Sequence, residues 1–178
     1  MPLKTKRSKT VPKSFRIDES ALLAVEAEAT SQNVSPNTLV NQILKQYGEF
    51  DRFAHKVTCV NLSSATFQGL IASLEKDKLI EVAKTSGSSM PQAFSLAKTG
   101  KVELQSLLDF TRSLGRYANL FEFSETLDNN GRSITLIHRY GLNWSIFLVH
   151  YMTAMFEQIG ISPVIEMTDK SVSYKISA

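Results

Sequence analysis

Among 178 residues there is a single cysteine, Cys59. One thiol excludes an internal disulfide and leaves no Cys-x-x-Cys pair to hold zinc, so nothing in the chain asks for an oxidising compartment. Glycine is scarce, at eight residues. There is no glycine loop to cradle phosphate, no Gly-x-Ser-x-Gly and no His-Glu-x-x-His, and the chain is read as a non-enzyme. Long apolar runs are missing too. The longest, "WSIFLVHYMTAMF", is interrupted by His150 and falls short of the ~18 residues that span a bilayer. The basic N-terminus has no apolar signal-peptide core behind it. The expected setting is the cytoplasm, with no membrane partner. His55, His138 and His150 share no close ligand spacing, so neither a metal nor another cofactor is expected.

What the chain does have is charge asymmetry. Residues 1–56 hold nine Lys or Arg against six acids, whereas residues 57–178 hold eleven of each. The whole net charge of +3 therefore lies in the first third. Six of those cations precede the first acid, Asp18. Such an excess at one end points to a polyanionic partner.

Residues 1–11 are polar, basic and without periodicity, and are expected to be a flexible arm. In "KSFRI", Phe15 and Ile17 alternate with Ser14 and Arg16, the period of a strand with one buried face. Asp18 is placed to cap a helix over "ESALLAVEAEATSQ", with Asn33 ending it. Ser35 and Pro36 open a second helix carrying Leu39, Val40, Ile43, Leu44 and Tyr47 at helical spacing, with Gly48 as its natural stop. A strand and two one-sided helices in so few residues cannot close a core, so this unit is expected to dimerise.

The stretches "KSFRIDESAL", "SQNVSPNT" and "TLVNQILKQY", over residues 12–48, resemble the ribbon-helix-helix DNA-binding proteins of the Arc, MetJ and CopG kind. The resemblance implies that two chains pair their strands into an antiparallel ribbon lying in the major groove of duplex DNA. Pro12, Ser14 and Arg16 would then face the bases, with Lys13 beside them. Phe15, Ile17, Leu39 and Ile43 would form the dimer core. Ser35, Asn37 and Thr38 would present the second helix's N-terminus to a backbone phosphate. Pro12 departs from a reading role, because it has no N–H to donate. Lys4, Lys6, Arg7 and Lys9 would compensate by following the DNA backbone or entering a minor groove. A nucleoid-associated location follows from the same resemblance.

Residues 49–56, "EFDRFAHK", are expected to be a linker, and residues 57–178 a second domain. "VTCVNL" reads as a strand, followed by helices through "TFQGLIASLEKD", "DKLIEVAKTS" and "VELQSLLDFTRSLGRY". Two alternating runs flank Asn130-Gly131, a hairpin signal. If that pair forms the turn, Glu125 and His138 become diagonal neighbours on an otherwise apolar face, a candidate effector site. Asn143 is placed to cap the helix "WSIFLVHYMTAMFEQI", on which His150, Thr153 and Glu157 make a polar stripe, and "VIEMTDKSVSYKI" reads as a final hairpin. The expected class is α+β, an antiparallel sheet with helices on one face and a ferredoxin-like arrangement. Ribbon-helix-helix repressors with such a sensor domain exist, the nickel-responsive one among them, but its clustered histidines are absent here.

Two functional classes follow. One is a homodimeric or higher-oligomeric, sequence-specific transcriptional regulator whose C-terminal domain senses a small molecule or supports oligomerisation. The other is an antitoxin-like or scaffold protein whose C-terminal domain grips a protein partner. Antitoxins of this kind carry short wrapping tails, so about 120 well-patterned residues favour the regulator.

Overall fold

The computed structural model describes residues 10–57, 59–128 and 131–177. They divide into two compact units, Met1–Lys45 and Gln46–Ala178. In the first, α1 (Glu19–Ser31) starts as expected at Asp18, whose Oδ1 accepts the Ser20 N–H at 3.0 Å and the Ser20 hydroxyl at 2.6 Å. These bonds hold the Asp18 carboxyl below its ordinary range. Asn33 ends the turn after α1 in the left-handed region, at φ 54°. Helix α2 (Pro36–Gln46) opens on Ser35, whose Oγ accepts the Thr38 N–H at 3.1 Å. Residues 11–18 are exposed and take part in no helix or ladder. The expected strand at 13–17 is thus not formed within one chain, since its backbone groups need a second strand to pair with.

The helical backbone does not stop at Gly48. A π turn (Tyr47–Asp51), a short α3 (Arg52–Ala54) and a 3₁₀ turn (His55–Val57) follow. The reason lies in packing. Phe50, Phe53 and Ala54 are buried in the core of the second unit. The Phe50 ring lies 5.7 Å from both Phe94 and Tyr117, and the Tyr117 hydroxyl donates to Glu49 at 2.5 Å. Burying two aromatics outweighs the ~1 kcal/mol that a helical glycine costs. Residues 49–56, expected as a linker, therefore fall within the second unit, with Phe50, Phe53 and Ala54 in its core.

The described residues of 57–62 do not form the expected strand either: Val57 ends the 3₁₀ turn. Residues 59–63 have no regular structure, and Val60 and Leu62 are exposed. Helix α4 (Ser64–Ser73) follows, capped by Ser63, which accepts the Thr66 N–H at 3.2 Å. Then come α5 (Lys76–Gly87), α6 (Met90–Thr99), stopped by Gly100 at φ 71°, and α7 (Leu104–Ala118), opened by a Glu103/Ser106 capping box.

Strands β1 (Glu122–Asp128), β2 (Gly131–Ile137), β3 (Val164–Met167) and β4 (Ser171–Ser177) form one antiparallel sheet in the order β1-β2-β4-β3. The α+β class stands. The finer expectation of a ferredoxin-like arrangement needs a strand ahead of the helices; here the sheet is two hairpins joined through β2 and β4. Ile134, Leu136, Val172, Tyr174 and Ile176 point into the core, while the other face carries Ser133, Thr135, Ser173 and Lys175, the alternation of a half-solvated sheet.

Helix α8 (Leu142–Glu157) lies between this sheet and α5, which explains why apolar side chains surround most of its circumference. Asn143 does not cap it. Its side-chain amide instead donates to the Ile71 carbonyl at 3.1 Å, satisfying the end of α4. On α5, Leu79, Ala83 and Gly87 form the buried stripe that meets α8. A Cβ on Gly87 would sit 2.2 Å from the Tyr151 carbonyl oxygen. Alanine normally favours a helix over glycine by about 1 kcal/mol. At position 87 the sign reverses, because two backbones would have to part. Gly87→Ala should lower stability by about 1–3 kcal/mol in a urea titration, whereas Gly69→Ala, with nothing within 4 Å of its new Cβ, should not.

Candidate functional site

Two regions carry the chemistry that the sequence suggests, and the structure adds a third. In the N-terminal unit, Lys4, Lys6, Arg7 and Lys9 lie outside the described residues. Pro12, Lys13, Ser14 and Arg16 are all exposed, as are Ser35, Asn37 and Thr38. The intended dimer core divides: Leu39 is already buried within the chain, but Phe15, Ile17 and Ile43 are 64%, 50% and 49% exposed. Ala29 and Leu39 are the only buried residues among 10–45. At the N-terminus of α2, Pro36 has no N–H and the Thr38 amide is taken by Ser35. The Asn37 N–H is the amide left there for an anion.

The second region is the sheet face of Glu125 and His138, which the structure does not bring together as a pair. Asp128 pairs with Gly131, so residues 129 and 130 make the connection, and they lie outside the described residues. The register is displaced by two residues from a turn at Asn130-Gly131. A shift of two keeps every side chain on its expected face but changes its neighbour. Glu125 now stands opposite Ile134 and is held by Arg112 at 2.7 Å and by Arg132. Arg112 also pairs with Asp109 and lies over the Phe123 ring at 5.1 Å, tying α7 to the edge strand β1. An inward charge on an edge strand discourages further strands from adding there.

His138 instead meets α8. Its Nε2 lies 2.9 Å from the Ser145 Oγ, and both residues are buried. Its Nδ1 is buried with no hydrogen-bond partner. Burial pushes the imidazole below its ordinary value, against a smaller upward pull from Asp169. The polar pair is thus a neutral, structural one between β2 and α8.

The third region was not singled out by the sequence. Within the second unit, the π turn, α4, α6, α7 and α8 line a partly open cavity of about 330 Å³. Trp144, Phe147 and Tyr151 form its α8 wall, stacked at centroid separations of 4.8 and 5.6 Å. Phe50, Phe94 and Phe110 line the opposite side. The Trp144 Nε1 is engaged with the Leu120 carbonyl at 3.2 Å. Cys59, expected in a strand core, is instead exposed and borders this cavity, and burial of part of its surface raises its thiol. The signal available in the sequence was the 144, 147, 151 spacing, which places three aromatics on one helix face.

The polar stripe of α8 behaves as expected: His150, Thr153 and Glu157 border a polar cleft with Lys84 and Ser88 of α5. Among the described residues, no group of three or more His, Cys, Asp or Glu could hold a metal ion. No helix among them is long and apolar enough to cross a membrane. No family model, curated protein or solved structure matches the chain.

Burial lowers His150 as well, with Lys84 and Lys76 adding to the effect. Both folded pKa values lie below the ordinary 6.5. As pH falls below that value, the unfolded chain takes up protons that the folded chain resists. Stability is therefore full above pH 6.5 and declines below it, by up to about 1.4 kcal/mol per pH unit for each histidine. Thermal melts from pH 7.5 to 5 should show this decline, and His138→Gln should make it shallower.

Proposed function

We propose that this chain is a dimeric, sequence-specific DNA-binding regulator, with residues 12–48 as a ribbon-helix-helix module and the second unit as an effector or oligomerisation domain. The observation that carries the reading is the exposure of Phe15, Ile17 and Ile43 beside a core of only two buried residues. A segment this short, without a disulfide, needs a partner to become stable. Pairing two copies of residues 13–17 satisfies both the unpaired backbone and the apolar side chains. It leaves Ser14 and Arg16 on the other face, where base edges would be read.

The basic residues Lys4, Lys6, Arg7, Lys9 and Lys13 then add phosphate contacts, and the α2 N-terminus at Ser35, Asn37 and Thr38 sets the register on the backbone. Since Ser35 and Pro36 remove two of its donors, that end contributes one amide and the helix dipole. The regulator reading is favoured over a partner-gripping protein because residues 46–178 fold around a core of their own.

Three measurements test this. Sedimentation should show a dimer, and Phe15→Asp should shift it toward monomer without unfolding the second unit. Anisotropy titrations should show duplex affinity falling steeply as salt rises. Arg16→Ala should reduce discrimination between preferred and scrambled duplexes by about 1–3 kcal/mol per half-site. Deleting residues 1–10 should weaken all duplexes alike and reduce the salt slope. Absence of duplex binding at low salt ends the regulator reading.

A further inference from the structure

We infer that the cavity behind Trp144, Phe147 and Tyr151 is a binding site for an uncharged, largely aromatic small molecule of about two rings. The cavity is partly open and apolar, with a volume of about 330 Å³. It lies at the lower end of the roughly 300–1,000 Å³ typical of ligand pockets. A cavity of about 150 Å³ takes benzene, which sets two rings as the matching size. Water is a poor filler, since the described lining residues give it almost nothing to bond: the Trp144 N–H is engaged, and among their side chains only Tyr151 and Cys59 carry another polar O–H or S–H group.

The same lining excludes charge. Among the described residues, no Lys, Arg, Asp or Glu borders the cavity, so a buried carboxylate or ammonium would lose its water without a partner among them. Half of the lining is aromatic, and the stacked wall on α8 offers ring faces and edges to a planar guest. The lining is almost wholly apolar, which suits a guest with little or no polar surface. The wall itself is fixed in place, because Gly87 lets α5 press against the Tyr151 backbone. The site rests on the second unit alone; only its role as an effector site rests on the regulator reading.

Trp144 is the only tryptophan in the chain, so its emission reports on the cavity. The test is a titration of the full chain with 1-naphthylamine, a neutral two-ring fluorescent probe. The expected result is saturable probe fluorescence at one per chain, with matching loss of Trp144 emission. Leu114→Phe, which fills the cavity from a half-buried position, should weaken binding at least about tenfold. Cys59→Phe, at an exposed border position, provides the same reading should the first variant lose its wild-type melting temperature. Absence of saturable binding, or unchanged affinity in a variant that melts like wild type, overturns the assignment. Binding of decanoate in place of the neutral probe overturns the exclusion of charge. Probe binding that leaves duplex affinity unaltered keeps the site and removes its effector role, while loss of the regulator reading through absent DNA binding leaves the site untouched.

Discussion

The second unit depends on one close backbone approach, that of Gly87 on α5 to the Tyr151 carbonyl on α8. Without a side chain at 87 the two helices come near enough for Leu79 and Ala83 to be fully buried between them. On its other side α8 is fixed to the sheet: the Tyr174 hydroxyl donates to the Leu148 carbonyl at 2.8 Å, and Phe156 lies 6.2 Å from the Tyr174 ring. The Ser145 contact with His138 adds a third attachment near the start of the helix. With those faces committed, Trp144, Phe147 and Tyr151 are held along a further edge. They line a cavity because the helix is pinned around them, and a freer helix would rotate to close it.

The N-terminal unit lives under the opposite constraint. It has no core to pin anything, only Ala29 and Leu39 beneath two helices. Its order comes from local bonds: the Asp18 cap on α1, the Ser35 cap on α2 and the left-handed Asn33 between them. Caps contribute about 1 kcal/mol each, enough to fix where helices begin but too little to hold a domain folded. In the proposed dimer, the exposed Phe15, Ile17 and Ile43 would be covered by a second chain and would supply the missing stabilisation.

Features set by neighbours in the chain were legible in the sequence. Asp18, Asn33 and Ser35 each act on residues within four positions, and each does what its type implies. The alternation placed the paired side chains of residues 122–128 and 131–137 on their correct faces. It could not fix the partner, because a slip of two residues preserves the faces while moving Glu125 away from His138 and into the reach of Arg112 and Arg132. Gly48 and residues 57–62 were misjudged for a related reason. Whether a glycine stops a helix, or an alternating run becomes a strand, depends on what surface lies opposite, and that surface belongs to α6 and α7 or to no strand at all. Asn143 was diverted from its own helix to α4 by the same kind of distant demand. The cavity was illegible because it is made by five elements meeting, and only the α8 spacing hinted at one of its walls.

The proposed DNA-reading surface can be weighed against what specificity requires. With Pro12 unable to donate, each chain offers Ser14 and Arg16, and a dimer offers two guanidinium groups. Bidentate contacts are worth about 1–3 kcal/mol each, so the pair supplies roughly 2–6 kcal/mol. Specific sites are usually preferred over random duplex by about 4–10 kcal/mol. The ribbon alone therefore reaches only the lower part of that range. The remainder has to come from terms that the two strands do not carry, namely the bendability of the central steps, or a second dimer on an adjacent half-site. Phosphate contacts from the basic arm cannot fill the gap, since they strengthen specific and random binding alike. A reading head this small is suited to cooperative pairs of dimers on repeated half-sites, where each added dimer contributes its own two arginines.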